Sequence, residues 1–114
     1  MPFQEIVPVV IALNASLSGA VEIGDAKQIA ISMPADWTAA NLTFQGSYDG
    51  ATWWDVYDDA GTEVNVTAAE DRLIVLGTIT KNLRPLRFLK VRSGTAGSAV
   101  TQGAARTLHL ILAR

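Results

Sequence analysis

Apolar and polar residues alternate with a period of two along much of the chain, and no long segment keeps a helical period. Lys27–Met33 sets Ile29, Ile31 and Met33 on one side. Asn41–Tyr48 sets Leu42, Phe44 and Gly46 against Thr43, Gln45 and Ser47. Within Leu83–Ser93, Phe88, Lys90 and Arg92 alternate against Arg87, Leu89 and Val91. Ala105–Ala113 directs Leu108, Leu110 and Leu112 inward and leaves His109 on the opposite face. Ala20–Ile23, Thr52–Tyr57 and Thr62–Val66 read as shorter strands, and Arg72–Leu76 is apolar enough for a central one. Glu5–Leu13 is an apolar first run in which Pro8 marks an edge strand or an extended arm.

Turn signals separate these runs. Asp49-Gly50 predicts a type I′ hairpin, because both of its central residues need positive φ. Asp58-Asp59-Ala60-Gly61 predicts a second turn, and Thr67–Asp71 a loop. Pro34–Thr38 breaks the third run, with Asp36 or Thr38 placed to cap one helical turn. The Gly/Ser/Thr/Ala-rich stretch Gly94–Gly103 reads as a mobile hairpin tip. Seven to nine short strands in a chain of 114 residues imply an all-β fold. The expected architecture is an antiparallel two-sheet β-sandwich, jelly-roll-like, of about eight strands. Residues 1–114 form one domain, and residues 1–12 are either an arm or an edge strand.

Composition sharpens this picture. Apolar residues make up 49% of the chain and charged residues 18%, which fits a packed core and argues against disorder. The absence of cysteine excludes disulfides and thiolate metal sites. The longest apolar run, Val7–Leu13, is too short to cross a bilayer, and no signal peptide is readable at the start. Three glycosylation sequons, at Asn14, Asn41 and Asn65, are accordingly read as chance. The net charge is −2, yet all 11 acids lie in residues 1–71 and eight of the nine bases in residues 72–114. That asymmetry marks either a basic face or strands of the two halves pairing, and cross-strand pairing is the favoured reading. No basic stretch carries interleaved aromatics, so nucleic acid is not an expected partner.

No catalytic apparatus is visible. The lone His109 has no nucleophile elbow, phosphate loop or second histidine to work with. The acidic group Asp49, Asp55, Asp58, Asp59 and Glu63 has the residue type for calcium, but aspartate is also the preferred turn residue, and no cofactor or metal is expected. Trp37, Trp53, Trp54, Tyr48 and Tyr57 read either as core and rim aromatics or as a sugar-stacking platform. Trp53 and Trp54 point to opposite faces, so at most one is in the core.

Thr43–Trp53, through Ser47-x-Asp49-Gly50-x-x-Trp53, resembles the strand–turn–strand hairpin of discoidin-like β-sandwiches. Leu86-Arg87-Phe88-Leu89-Lys90-Val91 is similar to a later strand of those domains. A second resemblance runs through Met33–Gln45, Tyr57–Val64, Val91–Thr95 and Gln102–Leu108, and is to small proteins of tailed bacteriophages and prophages. That likeness implies a virion structural protein, most readily a capsid decoration (cement) protein on the outside of the head. Its partners would be the major capsid protein or other virion proteins, and it would be a homo-oligomer, as in trimers at local three-folds. The alternatives are a carbohydrate-binding module of a tail or fibre, with a glycan as partner, and a head–tail or tail component. Candidate contact residues are Phe3, Ile6, Val7 and Val9 on the first segment, with Val10 in the same apolar pattern, and Trp53 and Trp54 by the Asp49-Gly50 turn. The Gly94–Gly103 loop is a third candidate region.

Overall fold

The computed structural model describes residues 4–114. Its elements run β1 (Gln4–Ile11), β2 (Val21–Glu22), β3 (Gln28–Ser32), β4 (Leu42–Ser47), β5 (Trp54–Asp55), β6 (Leu73–Leu76), α1 (Gly77–Leu83), β7 (Phe88–Ser93) and β8 (Arg106–Ala113). The eight strands form two antiparallel four-stranded sheets, ordered β1-β8-β3-β6 and β2-β7-β4-β5. The chain is therefore an all-β two-sheet sandwich.

The period-two pattern builds the core between the sheets. From the first sheet, Val9 and Ile11 of β1, Leu108, Leu110 and Leu112 of β8, and Ile29 and Ile31 of β3 point inward and are buried. From the second sheet, Leu42 and Phe44 of β4 and Leu89 and Val91 of β7 meet them. Each such side chain withdrawn from water stabilises the fold by about 1.5–3 kcal/mol before entropy is subtracted. Opposite charges from the two halves of the chain do become neighbours across strands. Arg92 of β7 pairs with Asp55 of β5 and with Glu63, Arg87 pairs with Glu22 of β2, and Arg114 pairs with Glu5 of β1.

Several expectations need correction. The first segment is no detached arm in the described residues: β1 pairs with β8 along its whole length, from Gln4↔Ala113 to Ile11↔Arg106. It is an edge strand, where Pro8 is tolerated because one side of the strand carries no ladder. β6 is an edge strand as well, although its apolar run reads as central. No helical turn forms at Pro34–Thr38. That loop is instead tied to Gln102, whose carboxamide accepts from the Thr38 N–H (2.9 Å) and donates to the Thr38 carbonyl (3.0 Å) and Ser93 Oγ (2.7 Å). The last part of the Gly94–Gly103 loop is consequently fixed, with Gln102 fully buried.

The helix α1 is the one element with no sequence signal. It is a short run rich in β-branched residues and has no side-chain N-cap. Thr80 bonds back to the Leu76 carbonyl, and Thr80 and Leu83 are buried. Tertiary packing against β3 holds the helix where propensity alone would not.

The Asp49-Gly50 turn joins β4 to β5 but is not type I′. Gly50 has φ +76°, whereas Asp49 is absent from the positive-φ residues. Its carboxylate accepts from the N–H groups of Ala51 and Thr52 (2.9 Å each), and Ser47 Oγ accepts from those of Asp49 and Gly50. These bonds stabilise a longer loop and shorten the return strand to Trp54–Asp55. They also hold the Asp49 carboxyl below its ordinary range, the Thr52 and Ala51 N–H groups being the main cause. The second turn forms as expected, with Asp58 Oδ1 accepting from Ala60 and Thr62 and Gly61 at φ +83°.

Candidate functional site

The outer face of the first sheet is the most unusual surface of the molecule. Register fixes its composition. One row across the sheet reads Ile6, Ile111, Ala30 and Val75; the next reads Pro8, His109, Ser32 and Leu73. Val10 and Thr107 extend the face at one end, and Gln4, Ala113 and Gln28 at the other. No carboxylate, ammonium or guanidinium belongs to these outward positions; His109 is their one titratable group. Ile6 (63%), Val10 (49%), Leu73 (59%) and Val75 (63%) leave most or about half of their area in water.

An outer sheet face in water ordinarily alternates to polar residues. Here the alternation continues, but the outward set is apolar or uncharged. β1 and β8 contribute eight residues each, β3 five and β6 four. At about 3.3 Å per residue and about 4.8 Å between strands, the face covers on the order of 400 Å². The largest exposed apolar patch on a monomer is commonly of this size, about 300–600 Å², and is often an interaction surface.

The candidate contact residues of the first segment divide on this geometry. Ile6 lies on the exposed face. Val7 is half-buried and packs against the core, and Val9 is buried within it. Val9 is therefore a core residue of this chain, because its parity turns it away from the exposed face. Phe3 lies outside the described residues. Val10, part of the apolar pattern of the first segment, also lies on the exposed face. Leu73, Val75 and Ile111 complete the face, and no sequence signal marks them because they need the strand order.

The two tryptophans do lie on opposite sides of β5, and neither is in the core. Trp53 is half-buried, with Lys90 Nζ 4.4 Å from its ring centroid on the outside of the second sheet. Trp54 is exposed and stacks on Tyr48, with ring centroids 5.2 Å apart and planes 14° apart. The tryptophan that is buried is Trp37, whose Nε1 donates to the Ala40 carbonyl.

The second sheet is braced by Arg92. Its guanidinium is buried and donates to Thr43 Oγ1 (3.0 Å), Asp55 Oδ1 (2.8 Å) and Glu63 Oε2 (2.9 Å). The Arg92 bond is the largest reason that the Asp55 carboxyl sits below its ordinary range. Glu63 also accepts from the Ala96 N–H, which ties the Gly94–Gly103 loop to the same cluster. Each guanidinium nitrogen donates to one of the protein's own groups, so the cluster reads as a structural brace.

No protein-family model matches the chain, and no curated protein matches it. Among solved structures, it is similar to the crystal structure of the SPBc2 prophage-derived protein YomS, with a TM-score of 0.63 and 9% sequence identity. The alignment covers 100% of this chain and 96% of that one. At that identity the likeness is one of fold, and it runs from end to end: this chain has the two-sheet architecture of a prophage-derived protein.

Proposed function

We propose that this chain is a non-enzymatic structural protein of a bacteriophage particle, a capsid decoration protein that seats on the outside of the head through the outer face of its first sheet. The uncharged, apolar face is the observation that carries this reading. A surface of this kind gains free energy when covered and pays little to desolvate, because it strips water from no full charge. Its size bears on the kind of partner. A face of about 400 Å² per molecule lies below the roughly 800 Å² per partner of a stable one-to-one complex. It suits a contact repeated many times on a lattice, where oligomerisation of the chain would multiply weak contacts into firm attachment. The end-to-end fold likeness to a prophage-derived protein supports the phage setting.

The test begins with particles produced by the genome that encodes the chain. Quantitative mass spectrometry of purified heads and of purified tails should find it in heads, at a copy number that is a large fraction of the major capsid protein's. Recovery with tails alone would refute the decoration reading and favour a tail component. Absence from both would refute the virion reading altogether.

A further inference from the structure

We propose that the rim of the second sheet carries a binding site for a neutral sugar, built on Trp54, Tyr57 and Asn82, that is separate from the docking face. A cleft of about 240 Å³ opens beside β5, and its walls include Tyr48, Trp54, Tyr57, Leu86 and Asn82. Trp54 (46% exposed), Tyr57 (54%) and Tyr48 (69%) present their rings to solvent there. Three exposed aromatic rings on one small cleft are costly to leave in water and offer stacking faces. The parallel Tyr48–Trp54 stack fixes the orientation of the platform. The Ser47–Asp49 turn bonds fix the chain that bears Tyr48, and the Gly46↔Trp54 ladder pair fixes the chain that bears Trp54.

The polar lining decides the ligand class. Ser47 Oγ is consumed by its own turn, donating to Asp49 and accepting from two N–H groups. The Asn82 side chain, by contrast, makes no hydrogen bond among the described residues, so a half-buried amide with two donors and an acceptor is free at the wall. No lysine or arginine lines the cleft, and its one charged lining residue is Asp55. That selects against phosphates, nucleotides and acidic sugars. A flat ligand with an apolar C–H face for the rings and hydroxyls for the amide is a neutral pyranose, and the cleft holds about one such ring. The cleft lies at the edge of the sandwich, between β5 and the end of α1, and shares no residue with the outer face of the first sheet, so docking through that face does not use its lining.

The site is tested with the purified full chain, by calorimetric titration with D-glucose, D-galactose and N-acetyl-D-glucosamine and by an array of neutral and sialylated glycans. Binding of at least one neutral sugar is expected. It should weaken at least tenfold in Trp54→Ala and in Asn82→Ala, with circular dichroism unchanged, and remain within twofold in Trp53→Ala. Asn82→Ala guards against a folding artefact at the aromatic stack. The proposal is overturned by failure of every neutral glycan to bind the native chain, by preference for sialylated glycans, or by binding that survives both cleft variants. Because the assay contains no capsids, its outcome is independent of the docking reading.

Discussion

Replacing Ile6 and Val75 together by lysine separates a docking face from an idle one. The two residues sit in one row at opposite edges of the first sheet, linked through Ile111 and Ala30. Each leaves 63% of its area in water. Full burial of such a side chain stabilises by about 1.5–3 kcal/mol, so each retains roughly 1–2 kcal/mol that a partner could still recover. The double variant forfeits on the order of 2–4 kcal/mol of that. It also drives two ammonium groups against a face that holds no carboxylate, which adds a desolvation cost of at least 1 kcal/mol. The sum exceeds about 3 kcal/mol, or more than a hundredfold in affinity. Folding should be nearly untouched, within about 0.5 kcal/mol, since both side chains already face water. The assay is co-sedimentation of purified protein with heads stripped of it, with urea melts as the folding control and Ala104→Lys, on an exposed loop, as the charge control. Undiminished binding by a folded double variant would refute the reasoning.

Three further outcomes follow from the fold. Leu110→Ala should cost about 3–4 kcal/mol, because Leu110 is fully buried between Val7 and Ile31; a chemical melt that moved by less than about 1 kcal/mol would place the core elsewhere. Arg92→Met should cost about 2–3 kcal/mol, below the usual range for a broken buried pair because Asp55 reaches solvent, and Arg92→Lys should recover only part of it because the three bonds need the guanidinium fork. The Asp55 carboxyl is held below its ordinary range by Arg92, so its contribution is fully present above the unfolded carboxylate range and is lost as pH falls through the folded value. Asp55→Asn should therefore be less stable than the native chain at pH 7, and the gap should close in melts taken below about pH 4; a gap constant with pH would refute this role.

Much of the fold was legible because burial enforces strict parity. Leu108, Leu110 and Leu112 could face inward only if His109 faced out, and Leu42 and Phe44 only if Thr43 did. The elements that were misread are those decided by distant partners. Leu73–Leu76 is as apolar as a central strand, yet half of it lies on the exposed face of an edge. Gly77–Leu83 is helical because of what it packs on. Asp49 forms its turn through its carboxylate, where the Asp-Gly pair signals backbone conformation. The candidate site was legible only in part for the same reason. Ile6 and Trp54 were visible as apolar or aromatic residues near a turn or terminus. The face that joins Ile6 to Val75 exists only once the order β1-β8-β3-β6 is known, and Asn82 lines one cleft with Trp54 only through the fold.

Cryo-electron microscopy of intact heads shows directly whether the first sheet's outer face is the attachment surface. Density for this sandwich is expected on the capsid exterior, with Ile6, Val10, Leu73 and Val75 covered and the Trp54 rim turned to solvent. Density in which that face looks outward, uncovered, while the second sheet meets the shell would contradict it.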